Sequence, residues 1–201
     1  LEALKRENKH GLRAICVLSG VYGIRISEIA GMKIKNGIVE ITTLKQNEKT
    51  MNEEPHTRIV QPLNLPNLPK LGEEIIADLE SRKITFPDPI KRASAKSNDD
   101  DGYKLVGERF GKLINRFWFW KELKTKYSNL VPYAFRHSYA WRGSMETVPA
   151  VPYRVLADLL GHDLDTHLKY YGKWSNDQEN KKRIEEANKN ILDKYALAST
   201  K

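Results

Sequence analysis

Apolar positions recur at helical spacing along much of this chain and switch to strand-like runs near its first quarter. Leu4, Leu12, Ile15, Cys16 and Leu18 form a stripe that predicts a helix over 2–19, ended by Gly20 and Gly23. A second, short helix opens at Arg25 and closes near Gly31. Two β-branched runs follow, 37–43 and 57–63, joined by a stretch rich in Lys, Asn and Glu; they predict a hairpin with a long, mobile connection. Prolines punctuate 65–69, and 72–83 reads as an amphipathic helix. Asp99-Asp100-Asp101, two prolines and several Ser, Asn and Lys make 86–102 a loop, in part disordered.

The second half is again helical in period. One long helix is expected over 103–127, including Phe117-Trp118-Phe119-Trp120. That aromatic run is expected to pack into the core with one or two rings left over, the other reading being a platform that stacks on bases. Pro132 suits a helix start, so 133–143 is helical. A helix over 155–160 ends at Gly161 as its C-cap, and Asp165 N-caps a short helix that carries Tyr171 and stops at Gly172. Residues 176–201 are strongly charged but keep Ile184, Ala187, Ile191, Leu192 and Tyr195, a helix expected to dock on this domain or on a neighbour. These elements define an α+β fold, mainly α-helical with a small antiparallel sheet: one domain over 1–175 and a helical tail over 176–201. There is no internal repeat.

Composition narrows the class. With 34 Lys and Arg against 26 Asp and Glu, the chain carries a net charge of +8, which points toward a polyanionic partner, an ordinary basic surface being the equal alternative on charge alone. Its single cysteine, Cys16, lies in an apolar run; it rules out an intramolecular disulfide and is expected in the core, in a reducing, cytoplasmic setting. No stretch has membrane-spanning length and no signal-peptide pattern opens the chain, so no membrane association is expected. No spacing resembles a zinc or magnesium site. Because the first residue is Leu1, the chain is expected to be an excised part of something longer.

Three motifs carry the chemistry: Gly23-Ile24-Arg25-Ile26-Ser27-Glu28, Pro132-Tyr133-Ala134-Phe135-Arg136-His137, and Leu159-Leu160-Gly161-His162 followed nine residues later by Tyr171. Each alone has an ordinary structural explanation: a surface arginine, a salt bridge, a helix terminus, two aromatics at a helix end. In this order and spacing, over about residues 5 to 174, they resemble the catalytic domain of the tyrosine recombinase (phage integrase) family. One position departs from the pattern, with Tyr133 where the family has the His of His-x-x-Arg. That arrangement is similar to the cyanobacterial recombinases that excise DNA elements.

What the resemblance implies is a site-specific recombinase or integrase that cuts and rejoins DNA through a covalent 3′-phosphotyrosine, without metal, cofactor or ATP. Arg25 and Arg136 match the two arginines that clamp the phosphate, a role suited to forked, permanently charged guanidinium groups. Tyr171 matches the nucleophile, with Tyr170 one residue away as the slipped alternative. A phenol has a pKa of about 10, so it needs cations and positioning to react. His162 matches a hydrogen-bond donor to the scissile phosphate. Lys45, just past the first hairpin strand, matches the acid for the leaving 5′-oxygen, with Lys49 on the same connection as its rival. Tyr133 can donate or accept a hydrogen bond but cannot act as a cation or general base in histidine's manner. Glu28 is expected to orient Arg25 or cap its helix, His137 to be structural, and His167 not to be a ligand. The implied partners are double-stranded DNA, bound by salt-sensitive phosphate contacts, and further protomers forming a tetrameric synapse in the nucleoid. An N-terminal DNA-clamping domain is expected to be missing from this chain. Two other functions stay open: a type IB topoisomerase-like nicking and closing enzyme, and a DNA-binding protein of the same fold that has lost catalysis.

Overall fold

The computed structural model describes residues 1–43, 56–96, 100–147, 149–172 and 177–198. It is mainly helical with a small antiparallel sheet, as the periodicity predicts. The expected first helix is two, α1 (Glu2–Arg6) and α2 (His10–Val21). Asn8 separates them with φ +55°, a left-handed conformation that Asn tolerates. Gly20 does not end α2, which runs on to Val21. A 3₁₀ helix, Ile26–Gly31, follows Arg25 as expected.

The sheet has β1 (Met32–Lys35), β2 (Ile38–Thr43) and β3 (His56–Val60) in that order, all neighbours antiparallel. The hairpin of β2 and β3 matches the sequence reading, whereas β1 is an addition. Its alternation Met32-Lys33-Ile34-Lys35 has strand period, and Asn36-Gly37, both at positive φ, make the tight turn into β2. Lys45 and Lys49 lie outside the described residues.

Then come α3 (Leu71–Glu80), α4 (Asp88–Ser94), α5 (Asp100–Arg116) and α6 (Trp118–Lys126). The segment expected as loop over 86–102 contains α4: Pro89 fits its first turn, and Ile90 and Ala93, three apart, are both buried. The single helix expected over 103–127 is interrupted at Phe117, whose backbone is extended. Apolar spacing runs unbroken through Phe110, Ile114, Phe117 and Trp120, all buried, so the pattern carries no sign of the break. Trp118 is the ring left outside.

The last part holds α7 (Ala134–Trp141), a π-helical turn (Arg142–Glu146), α8 (Tyr153–Leu160), α9 (Leu164–Tyr171) and α10 (Asp177–Ala198). Gly161 caps α8 in the left-handed conformation, as expected. The N-cap of α9 is Asp163 and not Asp165: its carboxylate accepts from the Thr166 backbone N–H, satisfying a donor that the helix start leaves open. Along α10, Ile184, Ile191, Leu192 and Tyr195 are exposed, and Arg183 reaches back to the Ser144 carbonyl. Among the described residues no helix is long and apolar enough to cross a membrane.

Apolar packing falls into two clusters. A large aliphatic and aromatic core gathers α2, the sheet, α3, α4, α5 and α6. A small one, around Tyr139, Ala140, Leu156, Leu160 and Tyr171, joins α7, α8 and α9. Cys16 belongs to the large core, and burial pushes its thiol up to about 12.

Candidate active site

The end of α8 is where the sequence motifs meet. Its last carbonyls lie at the negative end of a helix and lack intrahelical donors. Three arginines from distant segments supply them: Arg58 Nε donates to Leu159 O at 3.0 Å, Arg136 Nη2 to Leu160 O, and Arg25 Nη2 to Gly161 O at 2.9 Å. Arg136 Nη1 also donates to Gly23 O. Gly23 and Gly161 are both at positive φ. A Cβ on Gly161 would stand 2.6 Å from the Arg58 guanidinium carbon, so the close approach requires glycine.

Glu28 sits between the same three arginines. As the third residue of its 3₁₀ helix it reaches back to the Arg25 backbone N–H at 2.8 Å, the capping geometry expected of it. Its carboxylate also takes Arg25 Nη1 at 2.7 Å and Arg58 Nη2 at 2.8 Å, and lies 4.0 Å from Arg136 Nη1. Burial raises the Glu28 pKa, but Arg25 and Arg58 outweigh it and bring the group down to about 2. Three guanidinium groups against one carboxylate leave the cluster with an excess of two positive charges. Arg136 is 0% exposed, and burial, reinforced by Arg25, lowers it to about 10, still protonated at neutral pH. Its Nε has no hydrogen-bond partner, an orphaned donor inside the site.

Tyr171, on the last turn of α9, faces this cluster and is 2% exposed, whereas Tyr170 is 56% exposed. The 100° step between neighbouring helix residues thus turns Tyr171 inward. Burial and then Tyr133 raise the Tyr171 pKa, opposed by the charges of Arg136 and Arg25. The phenol is therefore protonated at rest. Its Oη lies 3.2 Å from His137 Nδ1. His162, directly after the α8 cap, shares a 3.0 Å contact with His167, and both rings pack near Tyr171, at 6.0 and 4.8 Å between centroids. Burial and then the Arg136 charge push His162 down to about 3 and lower His137 and His167 as well. All three imidazoles are neutral at physiological pH. Tyr133, at the start of α7, is 41% exposed, and its ring stands edge-on to His137 at 4.8 Å.

Arg25, Tyr133, Arg136, His162 and Tyr171 are brought together; Lys45 is not among the described residues. Three residues join them that the sequence reading passed over. His137 was expected to be structural because it follows Arg136. It is instead one turn beyond Tyr133, on the same face, and touches Tyr171. His167 likewise lies one turn before Tyr171, a spacing visible in the sequence. Arg58 gave no signal. In His56-Thr57-Arg58-Ile59-Val60 the arginine and Val60 point inward while Ile59 is exposed, the reverse of what hydrophobicity indicates. A surface depression lined by His56, Arg58, Asp158, Gly161 and His162 opens beside the cluster. No group of His, Cys, Asp and Glu among the described residues is arranged to hold a metal ion. Set against known proteins, the chain matches no family model, no curated protein and no solved structure.

Proposed function

We propose that this chain is the catalytic part of a DNA strand transferase of the tyrosine recombinase kind. The observation that carries the reading is the meeting, at the end of α8, of two arginines, a histidine and one inward tyrosine from three separate stretches of sequence. Breaking a phosphodiester by a phenol calls for a nucleophile in line with the leaving oxygen and fixed positive charge around the non-bridging oxygens. Tyr171 supplies the first, and Arg25 and Arg136 the second. Glu28 and Arg58 hold these arginines in place, and the excess of positive charge favours a dianionic, pentacoordinate phosphate. Tyr133 and His162 add neutral hydrogen bonds. Lys45, on the connection between β2 and β3, serves as acid for the leaving 5′-hydroxyl. The phosphotyrosine keeps the energy of the ester, so rejoining needs no nucleotide.

Duplex DNA is the partner, drawn by the net charge of +8. The exposed apolar residues of α10 serve to reach a neighbouring protomer on the synapsed duplexes.

The test is capture of a covalent adduct. The chain is incubated with a library of randomised duplexes nicked so that the cleaved fragment diffuses away, and adducts are read on denaturing gels. The parent chain and Tyr170→Phe are expected to form adducts, and Tyr171→Phe none. Absence of any adduct from the parent chain, or an undiminished one from Tyr171→Phe, overturns the proposal.

A further inference from the structure

The contact between His137 and Tyr171 pairs a phenol with an imidazole nitrogen, Oη to Nδ1 at 3.2 Å. With the ring proton on Nε2, Nδ1 is an acceptor and the Oη proton points at it. His137 is half-buried, with its ring 5.6 Å from the Tyr171 ring and 4.8 Å from Tyr133. The titratable groups facing it are Tyr133 and Arg136 on its own helix and Tyr171 on α9. Burial and then the Arg136 charge favour the neutral imidazole, whose Nε2-protonated tautomer presents the Nδ1 lone pair to Tyr171. Tyr133, a phenol, cannot take that part at neutral pH.

Resting on the strand-transfer reading above, we infer that His137 is the catalytic base for Tyr171, standing one helical turn beyond the position that Tyr133 occupies. As the bond from Oη to phosphorus forms, the Oη proton passes to Nδ1 and gives an imidazolium. The bond from phosphorus to O5′ breaks, and its electron pair leaves on O5′, which takes a proton from the leaving-group acid. On rejoining, the 5′-hydroxyl returns its proton to the conjugate base of that acid as its oxygen attacks phosphorus, and Oη departs with the proton returned from Nδ1. Tyr133 keeps the imidazole ring upright by its edge contact.

The experiment uses the full chain, the nicked duplexes of the adduct assay, and the same duplexes with sulfur in place of the bridging 5′-oxygen, whose thiolate leaves without an acid. His137→Phe and His137→Gln are expected to slow adduct formation roughly 10²-fold or more on both kinds of DNA, in the range of general-base losses. The parent rate falls in acid as His137 protonates; in both variants that limb disappears and the rate climbs with hydroxide. Equal rates for parent and variants overturn the inference, as does sulfur restoring the variants to the parent rate, which moves His137 to the leaving-group side. A parent chain that forms no adduct on either DNA is a different result: it removes the strand-transfer reading and this one with it. Should both variants fail to fold, as judged by thermal melting, imidazole ¹⁵N NMR of the parent chain decides. A bare Nδ1 whose shift changes in Tyr171→Phe is expected, and a protonated Nδ1 refutes the inference.

Discussion

The two apolar clusters of this protein are built from different materials. The large core is mostly hydrocarbon: Ile15, Leu18, Ile75, Ile76, Phe110 and their neighbours, with Arg13 and Ser19 of α2 the buried polar residues beside them. The small cluster around Tyr139, Leu156 and Leu160 is surrounded by buried Arg136, Glu28, Arg58 and His167. Apolar burial stabilises by area and needs no specific partner, at about 25 cal/mol per Å². Burying charge costs energy unless every group is paired in good geometry. The second region therefore spends stability on positioning; orphaned atoms occur in both regions, Arg13 Nε and Ser94 Oγ in the first, but in the second Arg136 Nε and His167 Nε2 lie around Tyr171. Incomplete pairing among well-held cations is what a site for an anion needs.

Mutations can separate the two regions. The largest loss of stability is expected for Phe110→Ala in the large core, about 3–5 kcal/mol. Measured below its melting temperature, the folded fraction should still form the adduct at the parent rate. An equal drop in that rate would show that the two regions are not separable.

Glu28→Gln is expected to cost about 3 kcal/mol at neutral pH, from a carboxyl lowered from 4.5 to about 2. Its effect on the adduct rate should exceed that of Phe110→Ala, because it loosens Arg25 and Arg58 directly. The sign in pH follows from the depressed pKa. Glu28 stabilises the folded chain fully above 4.5, and that contribution disappears as pH falls through about 2. Denaturant titrations of parent and variant should diverge above 4.5 and converge near 2; parallel curves would remove Glu28 from the centre of the cluster.

The smallest effect is expected at Trp118, the ring left exposed by the break between α5 and α6. Trp118→Ala should change stability by no more than about 0.5 kcal/mol and leave the adduct rate alone. A marked fall in DNA affinity with unchanged stability would instead make this ring a stacking platform.

Much of the fold is written in local spacing. The helices over α2, α3 and α8, the Gly161 cap and the placing of Arg25 at a helix start follow from contacts within a few residues, and the strands β2 and β3 from their β-branched runs. The breaks at Asn8 and Phe117 do not, because apolar period continues through Phe117 and because Asn is compatible with either conformation at position 8. At the site, Arg25, Tyr133, Arg136, His162 and Tyr171 are candidates only through the resemblance that their motifs carry in this order.

Tertiary structure decided the rest. Arg25 finds Gly161 across 136 residues, Arg58 finds Leu159 across 101, and His137 finds Tyr171 across 34. Which face of β3 turns inward depends on Glu28 being there to receive Arg58, and no period within the strand encodes that. That His137 shares a face with Tyr133 and meets Tyr171 is likewise decided by packing, the linear reading having left His137 a structural residue. Local sequence sets which way a side chain leaves its helix or strand; the packing of α9 against α7 sets what it meets.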